Sequence, residues 1–287
     1  MSRRGGYPVP QRAAIRAHLH RGSHANAVCA RLARFHPWQG SRLEGKIVLV
    51  TGGAKRVGAS ICRRLHKAGA SIMLHFRASA GEARLLQAEL NHVRANSVAL
   101  IQADLLDAGK LPSLVEQTVQ TFGKLDALVN NASTFYSTVI GDIDLEDWND
   151  LIGTNLQAPL FLSQAAAPAL KKTQGSIVNI TDIHADRPLK SYVVYSVAKA
   201  GLVGLTRSLA RELAPDVRVN AVAPGPILWP DEEVFDELAR QRIISHTPLR
   251  REGTPDDVAK AVHFLLAEAP YVTGETINVD GGRHVSL

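Results

Sequence analysis

The chain has 287 residues, of which 45% are hydrophobic and two are cysteine. This is enough for one sizeable core, and no apolar run approaches the ~18 residues that a membrane-spanning helix needs. Cys29 and Cys62 form no C-x-x-C pair, which excludes a cysteine zinc site and a disulfide framework. We therefore expect a soluble protein of the reducing cytoplasm, with no bound metal and no membrane contact.

The net charge of +6 is concentrated at the N-terminus. Residues 1–42 hold eight arginines and no aspartate, glutamate or lysine, whereas the rest of the chain is close to neutral. We predict that residues 1–43 are a basic, disordered extension with no catalytic role. An organelle transit peptide, a weak polyanion-binding arm and a translation start further downstream remain alternatives.

From residue 44 onwards, short apolar runs alternate with segments of helical length. The runs read KIVLV, SIMLH, SVALIQAD, DALVNNA, GSIVNIT, VRVNAVAPG and ETINVDGG. Amphipathic segments such as Lys110–Phe122 and Trp148–Leu170 lie between them. This alternation is typical of buried parallel strands joined by crossover helices. We predict an α/β fold over residues 44–287, a single doubly wound parallel sheet (Rossmann fold) with helices on both faces.

The first predicted strand is followed at once by the glycine-rich stretch TGGAKRVG, residues 51–58. In a doubly wound sheet, ligands bind beyond the carboxyl ends of the strands, where this turn meets a helix N-terminus. Gly52 and Gly58 would let the backbone approach a pyrophosphate closely, and the helix dipole favours its negative charge. The stretch therefore predicts a dinucleotide site.

The ends of the second and third strands indicate which dinucleotide binds. In HFRASAGE, Arg77 and Ser79 stand where an NAD-binding protein usually has an acid that accepts from the ribose 2′-hydroxyl. A guanidinium and a hydroxyl suit a 2′-phosphate instead, so we expect NADPH as the cofactor. Asp104, at the end of the third strand, either accepts from the adenine amine or caps the following helix.

The fifth strand and the helix after it carry three side chains suited to proton transfer. Tyr195 and Lys199 are four residues apart, so they are neighbours on one helix face. We expect the Lys199 ammonium to lower the pKa of the phenol from ~10 towards the neutral range. Asp182 stands at the end of the preceding strand. The arrangement predicts acid–base catalysis by Asp182, Tyr195 and Lys199.

Two further polar stretches lie near this predicted site. Asn155 precedes Pro159 within a helical segment, and its amide either satisfies backbone freed by a kink or holds a water that feeds Lys199. The stretch NNAS, residues 130–133, ends the fourth strand. Its small side chains would leave room for a ribose and a nicotinamide.

Together these motifs resemble the short-chain dehydrogenase/reductase superfamily over residues 45–287, from T-G-x-x-x-[GR]-x-G through N-N-A-S and Y-x-x-x-K to V-D-G-G. Three departures from the general pattern are similar to the pteridine reductases, including the bacterial dihydromonapterin and dihydrofolate reductase branch. Arg56 stands where the middle glycine of the loop normally lies. Asp182 stands at the position of the catalytic serine. Phe135 matches the aromatic residue that stacks on the pterin.

The motifs and the resemblance assign the contacts residue by residue. The residues implied to bind the cofactor are Gly52, Arg56, Val57, Gly58, Arg77, Ser79, Asp104, Asn131, Ala132, Ser133, Tyr195, Lys199, Pro224 and Gly225. Those implied to bind a pterin or folate substrate are Arg56, Ser133, Phe135, Asp182, Tyr195 and Leu228. The resemblance also implies a homotetramer, and nucleic acid is not an expected partner.

The departures share a chemistry, because a pterin is a flat, electron-poor bicycle. Phe135 on one face and the nicotinamide on the other would enclose it, with stacking worth roughly 0.5–1.5 kcal/mol beyond burial. Reduction of its C=N bond creates an N–H, and Asp182 beside Tyr195 would help to deliver that proton. Core packing remains the alternative for Phe135, as does a helix cap or loop hydrogen bond for Asp182.

The stretch PGPILWPDEEVFDELARQRIISHTPL is the predicted substrate loop. Leu228 would contact the substrate side chain, and Trp229 would either do the same or serve as a general hydrophobic residue of a lid. Arg283, near the chain end, would either lie close to the site or join an oligomer contact.

The resulting prediction is an NADPH-dependent pteridine reductase that acts on a C=N bond of dihydropterins or dihydrofolate. One alternative is a carbonyl or 3-oxoacyl reductase of the same superfamily, against which Asp182 and Arg56 argue. Another is a non-catalytic protein that senses NADP(H) or associates with nucleic acid through its arginine-rich extension.

Overall fold

The structure is a computed structural model that describes residues 43–229 and 236–286. The predicted extension, residues 1–43, lies outside this part except for Leu43, and residues 230–235 of the predicted substrate loop also lie outside it. The described residues belong to one compact unit, Ser41–Leu287. None of the helices in residues 43–229 and 236–286 is long and apolar enough to cross a membrane.

A seven-stranded parallel sheet forms the centre, with the strand order β3-β2-β1-β4-β5-β6-β7. The strands are β1 Ile47–Val50, β2 Ser71–Phe76, β3 Val98–Gln102, β4 Ala127–Asn130, β5 Ser176–Ile180, β6 Arg218–Pro224 and β7 Thr276–Val279. Every apolar run that predicted a strand forms one, and the predicted doubly wound fold is confirmed. Continuous apolar runs form strands here because helices cover both faces of the sheet.

Helices connect the strands and pack on both sides. They are α1 Arg56–Lys67, α2 Ala80–Val93, α3 Leu111–Phe122, α4 Leu145–Ile152, α5 Ala158–Thr173, α6 Val193–Glu212, α7 Glu237–Ser245, α8 Pro255–Ala267 and α9 Arg283–Ser286. Short 3-10 turns occur at Ala108–Lys110 and Ile183–Ala185, and a π-helical turn at Gly153–Gln157 joins α4 to α5.

Strand β1 shows how the two halves of the core form. Val48 and Val50 pack into the cluster that includes residues of α1 and α8, whereas Leu49 packs into the cluster that includes residues of α3 and α5. Successive side chains of a strand point to opposite faces, so the run IVLV supplies both. Cys62 of α1 is buried in the first cluster, as its apolar position predicts, and burial raises its thiol pKa to about 12.

The order of the strands places the site. In β1, Val50 pairs with Leu74 of β2 on one side and Val129 of β4 on the other. The chain runs outward in one direction from β1 to β3 and in the opposite direction from β4 to β7. A crevice opens beyond the carboxyl ends of the strands at such a reversal. The predicted dinucleotide loop and the NNAS stretch meet there.

Candidate active site

In the glycine-rich loop between β1 and α1, neighbouring atoms come so close to two glycines that no Cβ atom would fit. Gly52 has φ +61°, and a Cβ added there would lie 2.9 Å from the Cα of Ala132. A Cβ added at Gly58 would lie 2.1 Å from the carbonyl oxygen of Gly52. Both positions therefore require glycine, and both glycines line the cradle between the loop and the N-terminus of α1. This cradle fits a dinucleotide cofactor.

Residues after β4 hold the loop in place. The Asn131 amide donates to the carbonyl oxygens of Thr51 and Gly52, at 2.9 and 3.1 Å. The Thr51 hydroxyl accepts from the backbone N–H groups of Asn131 and Ala132, at 2.9 and 3.0 Å. The predicted cofactor residues of the NNAS stretch thus also bind the chain that forms the cradle.

A buried histidine, which sequence reasoning missed, supports the same loop from β2. His75 Nδ1 lies 3.2 Å from the backbone nitrogen of Gly52, and its Nε2 lies 3.1 Å from the carbonyl oxygen of Ala103. Burial lowers the pKa of His75 to about 4, so the ring is neutral at physiological pH. A neutral ring can accept from Gly52 at Nδ1 and donate to Ala103 at Nε2. A histidine in an apolar strand gives no sequence signal of this role.

A cavity of about 460 Å³ extends from the glycine loop to Tyr195 and Lys199. Its lining includes the following predicted cofactor residues: Gly52, Arg56, Val57, Gly58, Arg77, Ser79, Asn131, Ala132, Ser133, Tyr195, Lys199, Pro224 and Gly225. The structure brings these residues together, while their individual contacts with a cofactor stay predictions.

Asp104 is the predicted cofactor residue that does not line this cavity. Its Oδ1 accepts from the backbone N–H of Leu106 at 3.0 Å, in the turn that follows β3. This local hydrogen bond is of the kind that the capping interpretation predicts. Its contact with an adenine stays a prediction.

The predicted catalytic residues meet at the inner end of the cavity. Tyr195 is 4% exposed, and its hydroxyl donates to Asp182 Oδ2 at 2.8 Å. The other carboxylate oxygen of Asp182 accepts from the backbone N–H of His184 at 2.8 Å. Asp182 therefore makes the loop hydrogen bond that was one alternative, and it contacts the phenol as well.

The electrostatics of Tyr195 differ from the expectation drawn from the sequence. Burial raises the pKa of the phenol well above its ordinary value of 10.0, the Asp182 charge and hydrogen bond raise it further, and a hydrogen bond with Ser133 opposes them. The expected lowering by Lys199 was wrong because burial and a neighbouring carboxylate both disfavour a phenolate. The phenol thus keeps its proton at neutral pH.

Lys199 is buried beneath the same site. Its ammonium donates to the carbonyl oxygen of Ile180 at 3.0 Å and lies 5.5 Å from the centroid of the Tyr195 ring. Burial lowers the pKa of Lys199 to about 8, and the charge of Asp182 opposes this shift. Lys199 therefore changes its charge at a lower pH than Tyr195 does.

Asn155 lies in the π-helical turn between α4 and α5 and is completely buried. It accepts from the Ser133 hydroxyl at 2.6 Å and donates to the carbonyl oxygens of Thr134 and Leu151, both at 3.0 Å. One of the two interpretations of Asn155 was that its amide binds backbone exposed by a kink, and here it binds backbone carbonyl oxygens around the π turn. These contacts fit its structural role, and the water relay to Lys199 stays a prediction.

A second cavity, of about 380 Å³, adjoins the first. We call it the substrate cavity, and its lining comprises Arg56, Phe135, Asp182, Ile183, His184, Leu189, Tyr195, Gly225, Pro226, Leu228, Trp229, Ile243 and Arg283. The predicted substrate residues line it, except for Ser133, which lines only the cofactor cavity. Sequence reasoning missed Ile183, His184, Leu189 and Ile243, which belong to no motif.

Phe135 forms part of an aromatic wall of the substrate cavity. Its ring stacks on Tyr192, with centroids 4.6 Å apart and an interplanar angle of 17°. It meets Tyr195 edge-on, with centroids 4.8 Å apart at 84°. Phe135 therefore packs against other side chains, as one alternative predicted, and it also faces the cavity.

Arg56 lies where the two cavities meet, and it lines both. Its Nη2 donates to the carbonyl oxygens of Leu228 and Trp229, each at 3.1 Å. The backbone of Arg56 has φ +51°, in the left-handed region that favours glycine. A non-glycine residue there is strained by about 1 kcal/mol.

These features agree with the comparisons with known proteins. A family model described as enoyl-(acyl carrier protein) reductase matches residues 52–284. The chain belongs to the short-chain dehydrogenase/reductase superfamily. It is a reductase of the kind that uses a nicotinamide cofactor.

Three relatives of similar identity to this chain differ in their named activities. Pteridine reductase 1 of Leishmania tarentolae is 38% identical, over 82% of this chain and 95% of the relative. A 3-oxoacyl-[acyl-carrier-protein] reductase of Staphylococcus aureus is 34% identical, over 84% of this chain and 98% of the relative. An uncharacterized oxidoreductase of Methylorubrum extorquens is 36% identical, over 84% and 99%.

Proposed function

We propose that this short-chain dehydrogenase/reductase is an NADPH-dependent pteridine reductase that reduces a C=N bond of dihydropterins or dihydrofolate. The observation that carries the proposal is the hydrogen bond of 2.8 Å from Tyr195 to Asp182, in a cavity walled by Phe135. An acid in this position suits a reaction that protonates nitrogen.

The reaction adds a hydride to carbon and a proton to nitrogen, and the nicotinamide cofactor supplies the hydride when it is bound. Tyr195 holds the proton, because its raised pKa keeps the phenol neutral at working pH. Asp182 orients the phenol and can pass a proton to it from the cavity. Lys199, fixed to the Ile180 carbonyl, places a positive charge below the ring. After the phenol gives up its proton, that charge would stabilise the phenolate.

Phe135 and Arg56 support a flat nitrogen heterocycle as substrate. The Phe135 ring packs against Tyr192 and Tyr195 and presents an aromatic surface to the cavity. Arg56 occupies a strained backbone position, which favours a purpose for its guanidinium. From the junction of the two cavities, that guanidinium can donate to a pterin edge and to a cofactor phosphate.

We also propose NADPH as the preferred cofactor and a homotetramer as the assembly. Arg77 is exposed at the edge of the cofactor cavity, where a guanidinium can pair with a 2′-phosphate. Exposed apolar side chains lie on α5 and α6, the latter being the helix that carries Tyr195. They are Leu160, Phe161, Val193 and Val197. An apolar surface of this kind suits a subunit contact.

The second candidate is a 3-oxoacyl reductase, which the Staphylococcus aureus relative favours. The two functions are separated by following NADPH oxidation by the full-length protein. Dihydrobiopterin and dihydrofolate are compared with acetoacetyl thioesters under the same conditions. We expect turnover of the dihydropterins, and activity confined to the thioesters would refute the proposal.

A further inference from the structure

The substrate cavity contains a cation that the proposed reduction does not use. Arg283, the first residue of α9, lines this cavity and not the cofactor cavity. Arg56, by contrast, lines both cavities and can serve the cofactor phosphates. Arg283 therefore lies close to the site, as one of its two interpretations predicts, and an oligomer contact stays a prediction.

The side chain of Arg283 is held in position within the protein. Its Nη1 donates to the carbonyl oxygen of Ile243 at 3.1 Å. Ile243 belongs to α7 and lines the same cavity, so this bond fixes the guanidinium beside it. A guanidinium has five N–H donors, and four remain after this bond.

Arg283 has no carboxylate partner within 4.0 Å among residues 43–229 and 236–286. The nearby carboxylate of Asp280 accepts from the backbone N–H groups of Gly282 and His284 and lies 2.7 Å from the His284 imidazole. Burial lowers the pKa of Arg283, and the charge of Asp280 opposes this. A guanidinium with free N–H donors forms strong, charge-assisted hydrogen bonds with an anion.

The substrate cavity has an excess of positive charge, which also favours an anionic ligand. Among the described residues that line it, Asp182 is the carboxylate, and Tyr195 and the His184 backbone already bind its two oxygens. Arg56 and Arg283 contribute two guanidinium groups. A neutral pterin would leave Arg283 without a carboxylate in direct contact.

We propose that Arg283 binds a carboxylate on the side chain of the substrate, so that the site prefers pterins with an acidic tail to pterins with a neutral one. This inference rests on the proposed pteridine reductase function. Guanidinium and carboxylate groups match in shape and form two parallel hydrogen bonds. A pterin that carries an aryl-glutamate, as dihydrofolate does, has the required chemistry.

The test compares two substrates that share the dihydropterin head, dihydrofolate with its carboxylates and dihydrobiopterin with its neutral tail. Steady-state kinetics are measured with the full-length wild type, Arg283→Met and Arg283→Lys at saturating NADPH. We expect Arg283→Met to raise the KM of dihydrofolate about ten-fold or more and to leave that of dihydrobiopterin within about two-fold. The KM of dihydrofolate in Arg283→Lys should lie between those of the wild type and Arg283→Met, since an ammonium retains the charge but not the paired geometry.

Arg211→Met is the matched control, because Arg211 is exposed at the end of α6 and lines neither cavity. Arg211→Met should leave the KM of both substrates unchanged. Equal effects of Arg283→Met on both substrates, or no effect on either, would overturn the inference and leave the proposed function intact. If the wild type reduces neither dihydropterin, both fall together.

The wild type alone supplies a second measurement should Arg283→Met fail to fold. Added salt screens the attraction between a guanidinium and a carboxylate. The KM of dihydrofolate should therefore rise with ionic strength, and that of dihydrobiopterin should not. Parallel responses of the two substrates would contradict an acidic-tail site.

Discussion

The Tyr195 hydroxyl donates to the Asp182 carboxylate at 2.8 Å, and both residues line the boundary between the cofactor and substrate cavities. The pair joins two elements, because Asp182 follows β5 and Tyr195 lies in the first turn of α6. The carboxylate raises the pKa of the phenol, as does burial. The site therefore favours a tyrosine that donates a proton over one that withdraws it.

Replacing Tyr195 with phenylalanine removes the proposed proton donor and keeps the ring. We expect Tyr195→Phe to reduce kcat for dihydropterins by at least about 100-fold, the usual contribution of a positioned acid. Cofactor affinity, measured by quenching of protein fluorescence, should stay within a few-fold of the wild type. Near-normal turnover would contradict the role of Tyr195 in proton delivery.

Replacing Asp182 with serine restores the residue type of the general superfamily pattern. Asp182→Ser should lower dihydropterin turnover about 100-fold, because the phenol loses its acidic partner, and it should change NADPH affinity far less. Asp182→Asn is the matched variant, since it keeps the shape and the acceptor oxygen toward the His184 N–H. If either variant reduced dihydropterins like the wild type, the proposed reason for the acid would be wrong.

The strands and most of the helices could be predicted from the sequence, because apolar runs and the turn residues between them are local signals. It predicted one helical segment over Trp148–Leu170, and the structure interrupts it with a π turn. Asn155 of that turn accepts a hydrogen bond from the Ser133 hydroxyl and donates one to the Thr134 carbonyl oxygen, and both partners are distant in sequence. A periodicity of 3.6 residues contains no information about such contacts.

The active site, too, could be predicted from the sequence only in part. Motifs pointed to the glycine loop, Asp182, Tyr195 and Lys199, which the structure brings together at one cavity, since each follows a strand or lies on a helix at a recognisable spacing. They gave the wrong direction for the pKa of Tyr195, because its burial depends on the packing of several elements. His75 escaped notice for a similar reason, since Gly52, its partner, lies 23 residues earlier.

The pH dependence of activity should report Lys199. Its pKa is lowered to about 8 while that of Tyr195 is raised, so the ammonium is the first of the two groups to lose its proton as pH rises. We expect kcat/KM to fall above about pH 8 in the wild type. Lys199→Arg keeps its charge to far higher pH, so the decrease should disappear even if activity is lower. If kcat/KM of this variant still fell above about pH 8, the decrease would belong to a group other than Lys199.

Cofactor preference tests Arg77. Arg77→Ala should raise the KM of NADPH about 10–100-fold and leave that of NADH nearly unchanged, because only NADPH carries the 2′-phosphate. Arg84→Ala is the control, since Arg84 is an exposed arginine of α2 whose Nε donates to the Ala80 carbonyl oxygen, and it does not line the cofactor cavity. Equal losses with both cofactors in Arg77→Ala would show that Arg77 does not read the phosphate.

The stability of the protein should depend on pH through His75. Its folded pKa is about 4 against an ordinary value of 6.5. Between these values the unfolded chain binds more protons than the folded one, so the free energy of unfolding falls as pH is lowered through this window. At about pH 5 the loss from this one group is roughly 2 kcal/mol relative to about pH 7.5.

His75→Gln removes the titrating ring and retains an amide that can accept from Gly52 and donate to Ala103. Its free energy of unfolding, from urea titrations at one protein concentration, should fall by roughly 2 kcal/mol less than that of the wild type between about pH 7.5 and about pH 5. His92→Gln, at an exposed position of α2, should follow the wild type. The carboxylates titrate alike in all three proteins, so the difference isolates His75. Identical pH dependence in His75→Gln and the wild type would mean that the imidazole beneath the glycine loop is protonated in the folded protein.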